Sequence, residues 1–195
     1  MKKVLIPINS TIKLKVPREV INKKIGLLAT SQYINQLKEI KIPDSIYGGQ
    51  VLGCNVSNAL KIKDKIDVFF ILTEGRFHAL EVAFQTKKPT YTATGDKITE
   101  KDIEVYEKKK KGLLNKFFAA KKIGILVSTK PGQFQLKQAE QLKKKIKKPC
   151  YIFIDNTFDI PSLEDFNDVD IFINTACSRI ESKNIIQMRD LHGFI

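Results

Sequence analysis

The chain has 195 residues, 43% of them apolar, and 34 Lys and Arg against 21 Asp and Glu leave a net charge of +13. That length fits one large domain or two small ones, and the apolar share is enough for packed cores. No apolar run approaches the roughly 20 residues of a membrane span. The apolar part of residues 1–8 is too short for a signal peptide and contains Pro7, so the sequence reads as a soluble, cytoplasmic protein with no membrane partner.

Three cysteines, Cys54, Cys150 and Cys177, are an odd number set far apart. This argues against a disulfide framework and for a reducing compartment. No CxxC pair occurs, so a zinc finger or ribbon is not supported. The positive charge points first to nucleic acid. Yet the excess is lysine. The four arginines are Arg18, Arg76, Arg179 and Arg189, whereas phosphate and base recognition favours the arginine fork. A basic nucleic-acid-binding module stays as an alternative, beside a basic face for an acidic protein substrate.

In chain order, residues 1–21 alternate weakly around Pro7 and Pro17, as an entry segment or edge strand does. Residues 24–30 read as a short buried strand. Residues 31–40 carry helical spacing at Tyr33, Ile34, Leu37 and Ile40, and Pro43 ends the helix. Residues 47–55 crowd Gly48, Gly49 and Gly53 around Cys54, which predicts a loop able to wrap something. Residues 66–72 form a second buried strand, 73–78 a polar loop, 79–84 a short helix and 88–93 a third strand. Thr99 and Asp102 are spaced as a capping box. The helix that follows should bury Ile103, Tyr106, Leu113, Leu114, Phe117 and Phe118, with Gly112 bending or breaking it.

The second half repeats the first. Residues 122–129 mirror 24–31, residues 170–176 mirror 67–73, and between them lie a strand at 149–154 and a short helix at 163–166. Alternating helices and near-continuous apolar strands predict an α/β fold of two tandem Rossmann-like domains, each a small, mostly parallel sheet flanked by helices. The expected domains are residues 1–98, with the Cys54 loop, and residues 99–195, with the Cys177 loop and opened by the long linking helix.

Ligand loops of parallel α/β sheets lie at the carboxyl ends of the strands. That rule selects Thr30 and Ser31, residues 73–78, residues 128–133 and residues 175–179. Cys150, at the head of a strand, reads as a small buried hydrophobe. Cys54 and Cys177 lie in loops with polar neighbours and are expected to meet around one reactive centre. Arg76 and Arg179 follow corresponding strands, which points to planar recognition of an anion such as a carboxylate, set against a plain surface salt bridge. His78 reads as a general base, a ligand or, ranked first, a helix-start residue. Residues 128–133 form a strand-to-helix loop suited to an anion, but the P-loop spacing is absent. Thiolates are soft ligands, so iron–sulfur or another transition metal fits, although two cysteines do not complete a four-thiolate site.

Four stretches, taken together and in order, resemble the diphthamide synthases, the 2-(3-amino-3-carboxypropyl)histidine synthases of archaea and eukaryotes. They are Gly49-Gln50-Val51-Leu52-Gly53-Cys54; Glu74-Gly75-Arg76-Phe77-His78 with Ala79-Leu80-Glu81; residues 126–133; and residues 169–180 around Asn174-Thr175-Ala176-Cys177-Ser178-Arg179. The resemblance implies three related α/β domains, each giving one cysteine to a 4Fe–4S cluster with one iron left open for S-adenosylmethionine. It implies that the reduced cluster releases a 3-amino-3-carboxypropyl radical, which adds to a histidine of translation elongation factor 2. Cys54 would be the second-domain ligand and Cys177 the third-domain ligand. Arg76 and His78 would lie near the cofactor, and Arg179 would meet its carboxylate. Ser178 stands where the family usually has proline. The family's first domain has no counterpart here, and Cys150 is a poor substitute for its cysteine. The expectation is an oligomer: a split radical transferase completed by a chain that supplies the first domain and third cysteine. The alternative is a non-catalytic scaffold of diphthamide synthase.

Overall fold

A computed structural model describes residues 9–10, 16–20, 22–53 and 55–195. The chain forms two compact units, residues 1–104 and 105–195. The first holds β1 (Ile25–Ala29), α1 (Ile34–Glu39), β2 (Ser45–Gln50), α2 (Ser57–Ile62), β3 (Val68–Leu72), α3 (Arg76–Thr86), β4 (Thr90–Thr92) and β5 (Lys97–Ile98). A 20-residue helix, α4 (Glu100–Ala119), runs across the division. The second unit continues with β6 (Ile123–Ser128), α5 (Leu136–Lys145), β7 (Cys150–Asp155), α6 (Ile160–Glu164), β8 (Ile171–Asn174) and β9 (Ile185–Gln187).

The sheets share one topology. The first is ordered β2-β1-β3-β4-β5 and the second β7-β6-β8-β9. All pairings are parallel except β4 with β5. β1, β3, β6 and β8 are buried along their whole length, as strands covered on both faces must be. Each unit has two core clusters. One set centres on Leu28, Phe69 and Ile71 and on Leu27, Phe70 and Leu72; the other centres on Ile125, Val127 and Ile173 and on Leu126 and Phe172.

The repeat extends to single atoms. Gly26 sits opposite Phe69, and Gly124 opposite Phe172. A Cβ on Gly26 would lie 2.7 Å from Phe69 Cε1. One on Gly124 would lie 2.7 Å from Phe172 Cε1 and 3.0 Å from Phe153 Cε2. Each glycine is therefore the floor on which a phenylalanine ring rests. An aspartate before the third strand also caps the chain entering the first. Asp67 accepts from Lys24 N at 3.0 Å, and Asp170 accepts from Lys121 N at 2.7 Å and Lys122 N at 2.9 Å. Those amide bonds hold the Asp170 carboxyl below the usual carboxylate range.

Several expectations need correction. The glycine-crowded stretch is not loop throughout, since residues 45–50 form edge strand β2. The register slips between Leu27 and Leu28, where Gly48 is the extra residue and Gly49 takes φ +90°. A bulge of this kind is where glycine belongs in a strand. Gly112 does not break α4, whose capping box forms as expected. Thr99 N and Oγ1 donate to Asp102 Oδ2 at 2.8 and 2.7 Å, and Asp102 N donates to Thr99 Oγ1 at 3.2 Å. Leu113 and Phe117 are buried, but Phe118 is 52% exposed and packs edge-to-face on Phe117 and Phe194. Strands β5 and β9 were not anticipated, because two and three residues carry too little periodicity to read. No helix among the described residues is long and apolar enough to cross a membrane.

Replacing Gly124 with Ala should cost about 1–3 kcal/mol by overpacking, measured by urea unfolding. The same change in a Phe172→Leu background should cost clearly less, since the ring it meets is gone.

Candidate functional site

In both units the first strand lies between the second and the third, and the order reverses beside it. Crevices at such reversals, at the carboxyl ends of the strands, are where open α/β sheets bind ligands. Each unit therefore presents the loops that follow its first and third strands.

In the first unit, Thr30 ends β1 and ties it to β3, with its N and Oγ1 donating to Leu72 O at 3.0 and 3.3 Å. Tyr33 is fully buried, and its hydroxyl donates to the Glu74 carboxylate at the crevice mouth. Burial and then that bond push the Tyr33 phenol up. Arg76 and His78 both stand in the first turn of α3, two positions apart. The Arg76 guanidinium donates to Asp102 Oδ2 at 2.8 Å and is 49% exposed. His78 is half-buried and meets Phe77 edge-to-face. Cys54 lies outside the described residues; nearby, Asn55 N donates to Leu52 O at 2.9 Å and Leu52 N donates to Asn55 O at 3.3 Å.

In the second unit, Cys177 and Arg179 share the loop between β8 and β9. Arg76 stands seven positions beyond Phe69 and Arg179 seven beyond Phe172, so the two arginines occupy equivalent places. Their surroundings differ. Arg76 opens an 11-residue helix, whereas Arg179 is exposed in a tight turn with no helix after it. That turn closes through Ile180 N donating to Cys177 O at 2.9 Å. Thr175 anchors its near side, with Oγ1 donating to Leu126 O at 2.7 Å. Asn174, buried at the end of β8, donates to Cys177 O at 2.8 Å and to Gln187 Oε1 at 2.9 Å, and accepts from Ala176 N at 2.9 Å. Sequence reading gave no role to Asn174 or Gln187. The available signal was an amide at the end of an otherwise apolar buried strand.

Cys177 is a free, half-buried thiol, while Cys150 is free and buried. Cys150 opens β7 beside Ile123 at the amino end of the sheet, the end away from Cys177. Burial pushes its thiol up, which suits a core residue and not a ligand. Among the described residues no group of three or more His, Cys, Asp and Glu is placed to hold a metal ion. The donor chemistry of the Cys177 loop fits a single ligand of an iron–sulfur cluster: one thiol, on a tightly bonded turn, at the carboxyl end of a strand.

Two doubly wound α/β units, the second with a cysteine on a bonded turn at its strand ends, define a tandem α/β protein. The chain belongs to the family described as putative diphthamide synthesis protein, whose model matches residues 5–187. It is 32% identical over 183 residues to the 2-(3-amino-3-carboxypropyl)histidine synthase of Pyrococcus horikoshii, covering 82% of this chain and 52% of that protein. It is also 32% identical over 169 residues to the enzyme of the same name from Methanocaldococcus jannaschii, covering 81% and 46%. The crystal structure of Dph2 from Pyrococcus horikoshii with a 4Fe–4S cluster superposes with a TM-score of 0.69 at 26% identity, covering 89% of this chain and 57% of that one. The chain thus spans about half the length of the curated relatives it matches.

Thr99's hydroxyl and amide, then the Arg76 guanidinium, hold the Asp102 carboxyl below its ordinary value. A depressed folded-state pKa stabilises the fold above the unfolded value, and that contribution disappears as pH falls through the depressed one. Asp102→Asn should therefore lower stability at neutral pH, and its gap from wild type should close below about pH 4, as followed by thermal unfolding across pH. Arg76→Ala, which removes only an exposed ion pair, should cost about 1 kcal/mol or less.

Proposed function

We propose that this chain provides the second and third domains of a 2-(3-amino-3-carboxypropyl)histidine synthase. It would act in the cytoplasm on the first step of diphthamide formation. The reaction transfers a 3-amino-3-carboxypropyl group from S-adenosylmethionine to a histidine of translation elongation factor 2. A partner chain supplies the first domain and the third cysteine. The observation that carries this reading is the Cys177 turn, a free thiol held at the carboxyl end of β8 in a chain of this family.

Cys54 and Cys177 would be the two thiolates this chain gives to the cluster. When bound, the cluster supplies one-electron reduction of the sulfonium of S-adenosylmethionine. The remaining work falls to the chain's own side chains. Arg179, exposed two residues beyond Cys177, offers its planar fork to the carboxylate of the transferred group. Arg76 and His78, on the first turn of α3 just after β3, would serve the cofactor from the corresponding strand end of the first unit. Asp102 holds Arg76 and so limits the orientations its guanidinium adopts.

The test is transfer to elongation factor 2, read as a mass increase of the factor with S-adenosylmethionine under anaerobic conditions. The assay uses the tagged chain recovered with its native partners. Cys54→Ala and Cys177→Ala should each abolish the increase, and Cys150→Ala should retain it. Full transfer by the Cys54 and Cys177 variants would leave this chain as a scaffold.

A further inference from the structure

Asn174 is 2% exposed at the end of a strand whose other residues are all apolar. Its amide orientation is set by its neighbours. The Cys177 carbonyl only accepts, so Nδ2 faces it; the Ala176 N–H only donates, so Oδ1 faces that. The second Nδ2 proton goes to Gln187 Oε1, and Gln187 Nε2 donates in turn to Ile180 O at 3.1 Å. The Cys177 carbonyl thus receives two donors, Asn174 Nδ2 at 2.8 Å and Ile180 N at 2.9 Å. Two side-chain amides hold both ends of the turn that bears the thiol.

The repeat supplies an internal comparison. By strand register, Asn174 and Gln187 beside Leu126 correspond to Ile71 and Thr92 beside Leu28. In the first unit, β3 leads into α3, whose helical backbone carries Arg76 and His78 on its first turn. In the second unit no helix follows β8, and the amide pair appears where the turn lacks one. A buried amide costs desolvation unless fully bonded. Here the bonding goes to the one turn in the unit that carries an accessible thiol.

We propose that Asn174 and Gln187 are a positioning pair that fixes the Cys177 thiol in the direction required for metal ligation. This deepens the cluster reading and rests on it for the identity of the metal. Aspartate does not substitute at position 174, because a carboxylate has no proton to give the Cys177 carbonyl. Groups that orient a ligand in this way typically change metal affinity by about 10–100-fold when removed.

The experiment treats the full chain, metal-free and anaerobic, with iodoacetamide and follows labelling at Cys177 and at Cys150 by peptide mass spectrometry. Wild type is compared with Asn174→Ala and with Gln187→Ala, the second being the milder change at the sheet edge. Cys177 should react about tenfold faster in both variants while Cys150 keeps its wild-type rate, since one loop opens and the core stays closed. Unchanged labelling of Cys177, or equal acceleration at both cysteines, overturns the positioning role. Iron retained by the tagged chain and its co-purifying partners is measured alongside and should fall in both variants. Were wild type to retain no iron, the cluster reading would fail, and the labelling ratio would still decide the positioning role.

Discussion

The contact on which both units depend is a glycine of the first strand lying under a phenylalanine of the third, Gly26 with Phe69 and Gly124 with Phe172. No other residue leaves room for the ring, so the contact allows one register between the two strands. Register in a buried parallel sheet decides which side chains face which layer. It also decides which residues emerge at the strand ends. Leu28 meets Ile71, Leu126 meets Asn174, and the loops at the strand ends begin one to three residues later. Packing in the interior of the sheet is thus what sets the place of Arg76 and of Cys177.

From this shared frame the two units diverge at one point. After β3 the chain becomes α3, which presents Arg76 and His78 on a helical first turn. After β8 it stays irregular up to β9, and side chains do the work of a helix: Thr175 to the Leu126 carbonyl, Asn174 to the Cys177 carbonyl, Gln187 to the Ile180 carbonyl. A helix offers rigid spacing, while a bonded turn brings a thiol to the crevice with its carbonyl already occupied. In this chain of the diphthamide synthesis family, one duplicated α/β plan therefore carries two different ways of mounting functional groups.

Much of the fold was legible because buried parallel strands are nearly continuous apolar runs and the repeat reads directly from Lys24-Ile25-Gly26 and Lys122-Ile123-Gly124. Thr99 and Asp102 announced the start of α4 by their spacing alone. The edge strand β2 was missed because its glycines mimic a loop, although at a bulge they serve a strand. Phe118 was misplaced because the stripe of α4 is too rich in apolar residues for the unit it packs on, and the surplus ring faces out. That Arg76, His78, Cys177 and Arg179 follow the carboxyl ends of strands was legible. The bonds that hold them were not, since the Asp102–Arg76 pair and the Asn174–Cys177 bond join residues by folding geometry that periodicity does not encode.

The most direct measurement is electron paramagnetic resonance of the dithionite-reduced assembly, recovered anaerobically through a tag on this chain. The account predicts a 4Fe–4S signal that Cys177→Ala removes and Cys150→Ala keeps. A signal of wild-type intensity in the Cys177→Ala assembly would contradict it.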